Sequence, residues 1–291
     1  MIGLILAGGN SNRLYPLNQA CSKQLLPIYD KPLIYYPLSN LLLLGIKKYI
    51  IIIKPNDKKN VTKLLGNGKK FGINIKYIEQ AKPNGIPEAL TLAEKYIKNE
   101  KIFMILGDNI FYANTLSNVI FSSINKNKNK CNIFLYEVDD PKDYGVASIN
   151  KKNGLLKKII EKPKTFISNY VVTGLYVFNK HSINLAKKLK KSKRGEFEIS
   201  DLLNLHIKEN LVDYTIFERG VLWIDAGTPK NIFKSTQIIE LIENRNKNKI
   251  ACIEEICLEK KFISKSSYKK LISDMPKCEY KSYLEKKLNN E

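Results

Sequence analysis

Short apolar runs recur along the first half of the chain at the lengths expected of buried strands. Segments 2–7, 49–53 and 102–106 are rich in Ile and Leu and do not alternate with polar residues. Strands that are covered on both faces by helices have this pattern. Segments 37–44, 57–65 and 86–97 lie between them and have the apolar spacing of helices. The alternation predicts an α/β fold with a mostly parallel sheet covered by helices.

The rest of the chain predicts further strands, followed by a helical end. The expected strands are 73–78, 132–138, 145–150, 155–161, 171–178 and 213–217, and the expected helices are 181–191 and 199–208. A polar Lys/Asn run at 125–130 is typical of a surface loop. From Pro229 the pattern is helical to about residue 246, and the Lys-rich remainder has only short apolar patches. We therefore expect a main domain at 1–228 and a small helical appendage at 229–291.

Composition indicates a globular cytoplasmic protein. Of 291 residues, 44% are hydrophobic, which is enough for a large core. The five cysteines at 21, 131, 252, 257 and 278 are scattered, so free thiols in a reducing compartment are expected. The spacing of Cys252 and Cys257 favours core packing over a ligand pair. The apolar start is too short for a signal peptide, and no apolar run could span a bilayer.

The net charge of +21 raises the alternative of nucleic-acid binding. Only four of the 49 basic residues are Arg, and the Lys residues are scattered among Asn and Ile. An AT-rich coding bias would produce this enrichment, and no basic cluster interleaved with aromatic residues is present. Composition therefore favours a charge without a nucleic-acid partner, and no membrane partner is expected either.

The first candidate for chemistry is the loop that follows the first strand. An apolar run ends in Gly8 and Gly9, small polar residues follow, and Arg13 and then Lys23 come next. Glycines let backbone N–H groups approach phosphate oxygens closely. A guanidinium and an ammonium would add charge for the same ligand. The alternative on these residues alone is an ordinary turn with a solvated Arg.

Two carboxylates are candidates for a metal site. Asp108 follows a buried strand in Leu-Gly-Asp-Asn, and Asp225 lies in Trp-Ile-Asp-Ala-Gly-Thr. Mg²⁺ commonly takes one or two carboxylates together with substrate phosphates and water. Either Asp could instead cap a helix, which is the commoner role of Asp before a helix.

Three motifs carry a resemblance to a known family. Segments 8–14 (GGNSNRL), 22–27 (SKQLLP) and 30–34 (DKPLI) resemble the signature of sugar-phosphate nucleotidyltransferases, and the likeness extends over nearly the whole chain. Segment 29–39 is especially similar to the branch that transfers a thymidylyl group to glucose 1-phosphate. The resemblance implies a Rossmann-like sheet and the reaction of dTTP with α-D-glucose 1-phosphate, without a covalent intermediate. It also implies a homo-oligomer, specifically a tetramer, with subunit contacts and a regulatory site in the appendage.

The resemblance also implies the roles of individual residues. For the nucleotide it implies Gly8, Gly9, Ser11, Asn12, Gln24, Gln80, Gly85 and Asn109, of which Gln80 and the Gly85 backbone would read the pyrimidine edge. For the sugar phosphate it implies Gly145, Glu161, Lys162, Val172, Tyr176, Arg194 and Trp223. The catalytic cations would be Arg13, Lys23 and Lys162, and Asp108 and Asp225 would hold Mg²⁺. His181 and His206 match no contact of the family.

Three positions depart from the family pattern. Ser11 replaces a glycine, Asn12 replaces a threonine, and Pro87 replaces a small helix former. Proline suits the first turn of a helix, where its missing N–H would have no partner. Three alternatives remain open: a related UTP-dependent enzyme, a non-catalytic nucleotide-sugar binding protein, and the nucleic-acid-binding protein described above.

Overall fold

A computed structural model describes residues 1–9 and 12–289. Its strands are β1 Ile2–Ala7, β2 Pro27–Ile28, β3 Lys31–Pro32, β4 Lys48–Ile53, β5 Asn74–Glu79, β6 Ile102–Leu106, β7 Asn109–Tyr112, β8 Cys131–Glu137, β9 Gly145–Ile149, β10 Leu156–Glu161, β11 Tyr170–Phe178, β12 Val212–Ile216 and β13 Leu222–Asp225. Its helices are α1 Tyr35–Leu43, α2 Lys58–Leu65, α3 Ile86–Ala93, α4 Leu116–Lys126, α5 Lys180–Ala186, α6 Ile199–Lys208, α7 Pro229–Asn246, α8 Ile253–Glu259, α9 Lys265–Ser273 and α10 Glu279–Asn289.

One large mixed sheet organises the molecule. Its order is β10-β9-β11-β6-β1-β4-β5, and β8 pairs with both β11 and β12. Strands β5, β4, β1 and β6 are parallel, whereas β11 runs antiparallel to β6, β8 and β9. The predicted α/β fold class is confirmed, with the parallel pairing concentrated in the first strands. The carboxyl ends of these strands therefore meet at one edge of the sheet, where ligands of such folds bind.

The non-alternating strands are buried because both faces of the sheet are covered. Ile51 and Ile53 of β4 point into one hydrophobic cluster, and Ile50 and Ile52 point into the other. Successive side chains of a strand face opposite sides of the sheet, so both sets must be apolar when both sides are packed. This is the physical reason that the run of Ile residues predicted a central strand correctly.

Several elements differ from the sequence predictions. The helix expected at 86–97 is α-helical only to Ala93 and ends in a 3₁₀ turn at Glu94–Tyr96. The helix expected at 181–191 ends at Ala186. Helix α4 and the short strands β7 and β13 were not predicted. Strands β7 and β13 pair with each other across a long stretch of sequence, so no local pattern identifies either of them.

The C-terminal helices share the main core. Ile239 of α7 and Ile253 and Cys257 of α8 belong to the same hydrophobic cluster as the sheet. Tyr268 and Leu284 contribute to a smaller, separate cluster of the last helices. The division at 228/229 stays a prediction, and the packing of the described residues continues across it. None of the described helices is both long enough and apolar enough to cross a bilayer.

Buried ion pairs also join the C-terminal segment to the first third of the chain. Lys31 Nζ, with only 2% of its side chain exposed, lies 3.0 Å from Glu243 Oε1 of α7. Lys249 Nζ lies 3.4 Å from Glu243 Oε2, and both lysines also contact the Asp30 carboxylate. We call these four side chains the ionic cluster. All five cysteines are free thiols, and Cys252 and Cys257 are buried, as predicted.

Candidate active site

Three predicted site residues lie at the carboxyl ends of parallel strands. Gly8 follows β1, Gln80 follows β5, and Asp108 follows β6. The strands are held close by Gly107, whose N–H donates to Leu6 O at 2.8 Å. A Cβ at position 107 would lie 2.7 Å from the same oxygen, so only glycine permits this approach. The sheet thus brings the predicted phosphate loop, the base-reading candidate and a carboxylate to one edge.

The pairing of β7 with β13 brings the second carboxylate to the first. Asp225 lies opposite Asn109 in this ladder, and the Ala226 N–H donates to Asp108 O at 2.8 Å. Burial, and next the neighbouring Asp108 carboxylate, raises the pKa of Asp225 to about 6. Two carboxylates that repel each other in a partly buried place favour a cation between them. The donor set fits a hard divalent ion such as Mg²⁺, which needs few protein ligands when phosphates supply the rest.

Lys23 and Arg13 supply positive charge to this pair in different ways. Lys23 is 7% exposed and forms an ion pair with the Asp108 carboxylate. Burial alone would raise the pKa of Asp108, but the Lys23 ammonium holds it below its ordinary value. Arg13 Nη2 lies 3.8 Å from Asp225 Oδ2, and 60% of the arginine side chain is exposed. The Lys23 ammonium is therefore fixed in the site, whereas the exposed Arg13 guanidinium can move towards a ligand.

Asn109 holds Asp108 in position. Its Oδ1 accepts hydrogen bonds from Trp223 Nε1 at 2.6 Å and from the Gly174 N–H at 3.0 Å, and its Nδ2 donates to Asp108 Oδ1 at 3.1 Å. A Cβ at Gly174 would lie 2.5 Å from Asn109 Oδ1, so glycine is required there. Asn109 and Trp223 are both buried, and these contacts orient a carboxylate. Their expected contacts with nucleotide and sugar stay predictions.

Gly85 immediately precedes helix α3 and has a backbone conformation that favours glycine. Its φ is +110°, and a Cβ would lie 2.1 Å from Phe197 O. Pro87 lies in the first helical turn, which confirms the expectation that it fits there. Gln80 is 8% exposed, and its Nε2 donates a hydrogen bond to the carboxylate of Glu88 in the first turn of α3. The two base-reading candidates therefore belong to one rigid corner of the site.

The sugar-phosphate candidates Gly145 and Glu161 lie on paired antiparallel strands. Glu161 at the end of β10 is opposite Gly145 of β9, and a Cβ at Gly145 would lie 3.4 Å from Glu161 Oε2. Arg194 Nη1 lies 3.7 Å from both Glu161 Oε1 and Glu198 Oε2. Burial, followed by the Glu198 charge, raises the pKa of Glu161. Glu198, which sequence reasoning missed, is therefore part of this carboxylate pair.

Tyr176 lies between the two halves of the site. It is 2% exposed, and after burial the charges of Glu161 and Asp108 both raise the pKa of its phenol. Val172 of the same strand is also buried. Lys162 is exposed and has a φ of 43°, so its backbone leaves the strand conformation at this point. The structure brings Glu161 and Tyr176 together, with Lys162 at the strand end.

The remaining nucleotide candidates surround the phosphate loop. Gly9 and Asn12 are exposed, and Ser11 lies outside the described residues. Gln24 is 3% exposed, and its Cγ would lie 3.3 Å from a Cβ at Gly107. Sequence reasoning missed Asn84 and Glu88, which bond to each other beside Gln80. A Glu in the first turn of a helix is common because its negative charge interacts favourably with the helix dipole. Its presence at position 88 therefore does not indicate a functional role.

Comparison with known proteins points to one family. The family model described as nucleotidyl transferase matches residues 2–241. A glucose-1-phosphate thymidylyltransferase of Neisseria meningitidis is 38% identical, with 98% of each chain covered. The protein of the same name from Mycolicibacterium smegmatis is 37% identical, with 100% of each chain covered.

Solved structures give the same result for the fold. A Bacillus anthracis protein, provisionally described as a glucose-1-phosphate thymidylyltransferase and solved with sucrose, is 35% identical with a TM-score of 0.75. The alignment covers 82% of this chain and 95% of that chain. A UDP-glucose pyrophosphorylase in complex with UDP-glucose has a TM-score of 0.73 at 21% identity, covering 85% of this chain and 99% of that one. At that identity the likeness shows the fold alone.

Proposed function

Because this chain belongs to the nucleotidyl transferase family, we propose that it transfers a thymidylyl group from dTTP to α-D-glucose 1-phosphate, giving dTDP-glucose and pyrophosphate. The observation that carries the proposal is the group of Lys23, Arg13, Asp108 and Asp225 at the carboxyl edge of the sheet. Relatives with that activity in their names match along nearly the full chain. We further propose a homo-oligomer that works in the cytoplasm.

The reaction needs charge neutralisation and alignment more than proton transfer. The attacking group is a sugar phosphate, which is already ionised at neutral pH, so no general base is required. Lys162 holds this phosphate in line with the α-phosphate of the nucleotide. Arg13 and Lys23 stabilise the negative charge on the nucleotide phosphates and the departing pyrophosphate. Their separate mobilities fit this division, since buried Lys23 is fixed and exposed Arg13 can follow the leaving group.

Asp108 and Asp225 would hold a divalent cation, which we propose is Mg²⁺. The mutual repulsion that raises the pKa of Asp225 supports this assignment. When bound, the ion supplies charge neutralisation to phosphate oxygens. Asn109 Nδ2 donates to Asp108 Oδ1 and so orients this carboxylate.

Glu161 accepts hydrogen bonds from sugar hydroxyls. Arg194 forms an ion pair with Glu161 at 3.7 Å. Gly145 has no side chain, which leaves space for a sugar beside the Glu161 carboxylate. Tyr176 forms the buried floor between this carboxylate and Asp108. The sugar is thus bound on the antiparallel strands and the nucleotide on the parallel ones, with the two phosphates meeting between them.

Pyrophosphate release in a panel of nucleotides and sugar 1-phosphates tests the proposal. We expect turnover with dTTP and glucose 1-phosphate, and a modest preference over UTP, because one methyl group in an apolar pocket contributes only about 1–3 kcal/mol. Lys162→Met should lower kcat/KM for glucose 1-phosphate by about 10- to 100-fold, the loss of one charge-assisted contact. The exposed Lys164→Met is the matched control and should have no effect. Calorimetric binding of dTTP without any pyrophosphate release would support a non-catalytic binding protein instead.

A further inference from the structure

A chain of side-chain hydrogen bonds connects the surface to Gln80. Lys191 Nζ donates to Asn84 Oδ1 at 2.9 Å, and Asn84 Nδ2 donates to Glu88 Oε1 at 2.8 Å. The second carboxylate oxygen, Glu88 Oε2, accepts from Gln80 Nε2. The Phe197 N–H also donates to Asn84 O at 2.7 Å, which fixes the backbone of this corner.

The direction of every bond in this chain is set by chemistry. An ammonium can only donate, so the carbonyl of Asn84 must face Lys191 and its NH₂ group must face Glu88. A carboxylate can only accept, so the NH₂ group of Gln80 must also face Glu88. A Gln80 amide turned by 180° would bring its carbonyl oxygen against a carboxylate oxygen with no proton between them. The orientation of the Gln80 amide is therefore fixed by its neighbour.

With its NH₂ group held, Gln80 presents its oxygen to the nucleotide loop. A Cβ at Gly8 would lie 3.3 Å from Gln80 Oε1, so this oxygen faces the end of β1. Gln80 is 8% exposed, which leaves the amide little freedom to adapt. One acceptor and the second N–H of the NH₂ group remain for a ligand. The acceptor and the donor that Gln80 offers to a base therefore have fixed positions.

On the basis of the proposed function, we infer that Glu88 is a positioning residue that makes the enzyme read a base with an imino N–H beside a carbonyl. Thymine and uracil offer this order, with N3–H meeting Gln80 Oε1 and O4 meeting Gln80 Nε2. Cytosine offers the reverse order, an acceptor at N3 and a donor at N4. It would need the turned amide, which Glu88 penalises. Selection against cytosine therefore lies in the residue behind Gln80, a repulsive contact that opposes the wrong ligand.

Glu88→Gln tests the inference, because the Asn84 NH₂ group holds the oxygen of the new glutamine and leaves its NH₂ group facing Gln80, which favours the turned amide. We expect the ratio of kcat/KM for dTTP to that for dCTP to fall at least tenfold, about 1.4 kcal/mol, through a loss with dTTP and a gain with dCTP. Partial unfolding of the variant would lower kcat/KM for both nucleotides by the same factor and would leave their ratio unchanged. Glu88→Ala, which removes the acceptor without adding a donor, should lower the ratio in the same direction.

Glu79→Gln is the matched control. Glu79 precedes Gln80 but forms an exposed ion pair with Lys58 at 2.7 Å, so its replacement should leave the ratio unchanged. Calorimetric Kd values for dTTP and dCTP provide a second readout that does not need turnover. If the protein binds dTTP but releases no pyrophosphate, the proposed function fails and the Kd ratio still decides the role of Glu88. A folded Glu88→Gln protein whose ratio stays within twofold of the wild type would overturn the inference, even in an active enzyme.

Discussion

Trp223 Nε1 donates a hydrogen bond of 2.6 Å to Asn109 Oδ1, although the two residues are 114 positions apart in the sequence. The same oxygen accepts from the Gly174 N–H, which leaves the Asn109 NH₂ group to face Asp108. The indole therefore sets the orientation of an amide, and the amide sets that of a carboxylate. A buried aromatic side chain thereby orients the Asp108 carboxylate through Asn109.

Trp223→Phe should lower kcat while leaving the protein folded. The ring is retained, but Asn109 loses one of two donors, a bond whose net contribution is about 1 kcal/mol. We expect kcat to fall roughly five- to tenfold with little change in KM. Tyr136→Phe is the control, because it packs on Trp223 but donates to Val221 O, away from the carboxylates. An unchanged kcat in Trp223→Phe would mean that Gly174 alone suffices to hold Asn109.

Asp225→Asn should abolish most turnover and also change how stability depends on pH. In metal-free protein the pKa of Asp225 is about 6, above the ordinary 3.8, so the native state binds more protons than the unfolded state between these values. Stability therefore falls as pH rises through this window. The wild type should lose about 2 kcal/mol relative to the variant between pH 4.5 and pH 7. Chemical denaturation in EDTA measures this difference.

Added Mg²⁺ provides the internal control for Asp225. It should stabilise the wild type at pH 7, because the cation relieves the repulsion between the carboxylates, and should stabilise Asp225→Asn much less. Equal stabilisation of both proteins would show that the ion binds elsewhere.

His206→Phe should make the protein more resistant to acid. His206 is fully buried and stacks on Phe178 at 6.2 Å, and neither ring nitrogen has a hydrogen-bond partner among the described residues. Burial, and then the nearby His181, lowers the pKa of His206 to about 4. The unfolded state thus binds the extra proton first, and stability is lost as pH falls from 6.5 towards 4.

The measurement for His206 is the free energy of unfolding at two pH values. Relative to the wild type, the variant should gain about 2 to 3 kcal/mol between pH 7 and pH 4.5. Any packing cost of the larger ring is the same at both pH values and cancels in this comparison. Parallel pH curves for the two proteins would exclude His206 as the acid-sensitive group.

Ser11→Gly addresses the departure of the phosphate loop from the family pattern. Ser11 lies outside the described residues, so the prediction rests on sequence. Asn at positions 10 and 12 can adopt left-handed backbone conformations, which would let the loop keep its N–H groups aimed at phosphate. We expect kcat/KM to change by less than about tenfold. A wild type without turnover that is rescued by the substitution would instead favour a non-catalytic protein.

The fold was predictable where local sequence determines burial. Segment 49–53 could only be a strand covered on both faces, and β4 confirms this. Strands β7 and β13 could not be predicted, because each has only four residues and forms by pairing with the other, which is distant in the sequence. Helix α4 was missed although its apolar residues Leu116, Ile120 and Ile124 are at helical spacing and buried. Its polar remainder obscured the pattern.

The site was predictable in part. Gly8, Gln80 and Asp108 follow from the rule that parallel strands end at one edge. The proximity of Asp225 to Asp108 came only from the family resemblance, since no spacing in the sequence indicates it. Glu88 could not be found, because its role depends on the direction of hydrogen bonds between side chains. Such directions are a property of three-dimensional contact and leave no periodic signal.

The ionic cluster restricts how this sequence can change over generations. Lys31 and Glu243 are buried, so replacement of either would leave the ionic cluster with one unbalanced charge, and removal of one partner of a buried pair costs about 3–5 kcal/mol. Asp30 contacts both lysines, and Lys249 also contacts Glu243, so the segments around 30 and 243–249 can change only together. A recombinant gene joined at Pro229 would combine halves with separate histories. Its product would fold only if both parents carried matching charges on the two sides of the joint.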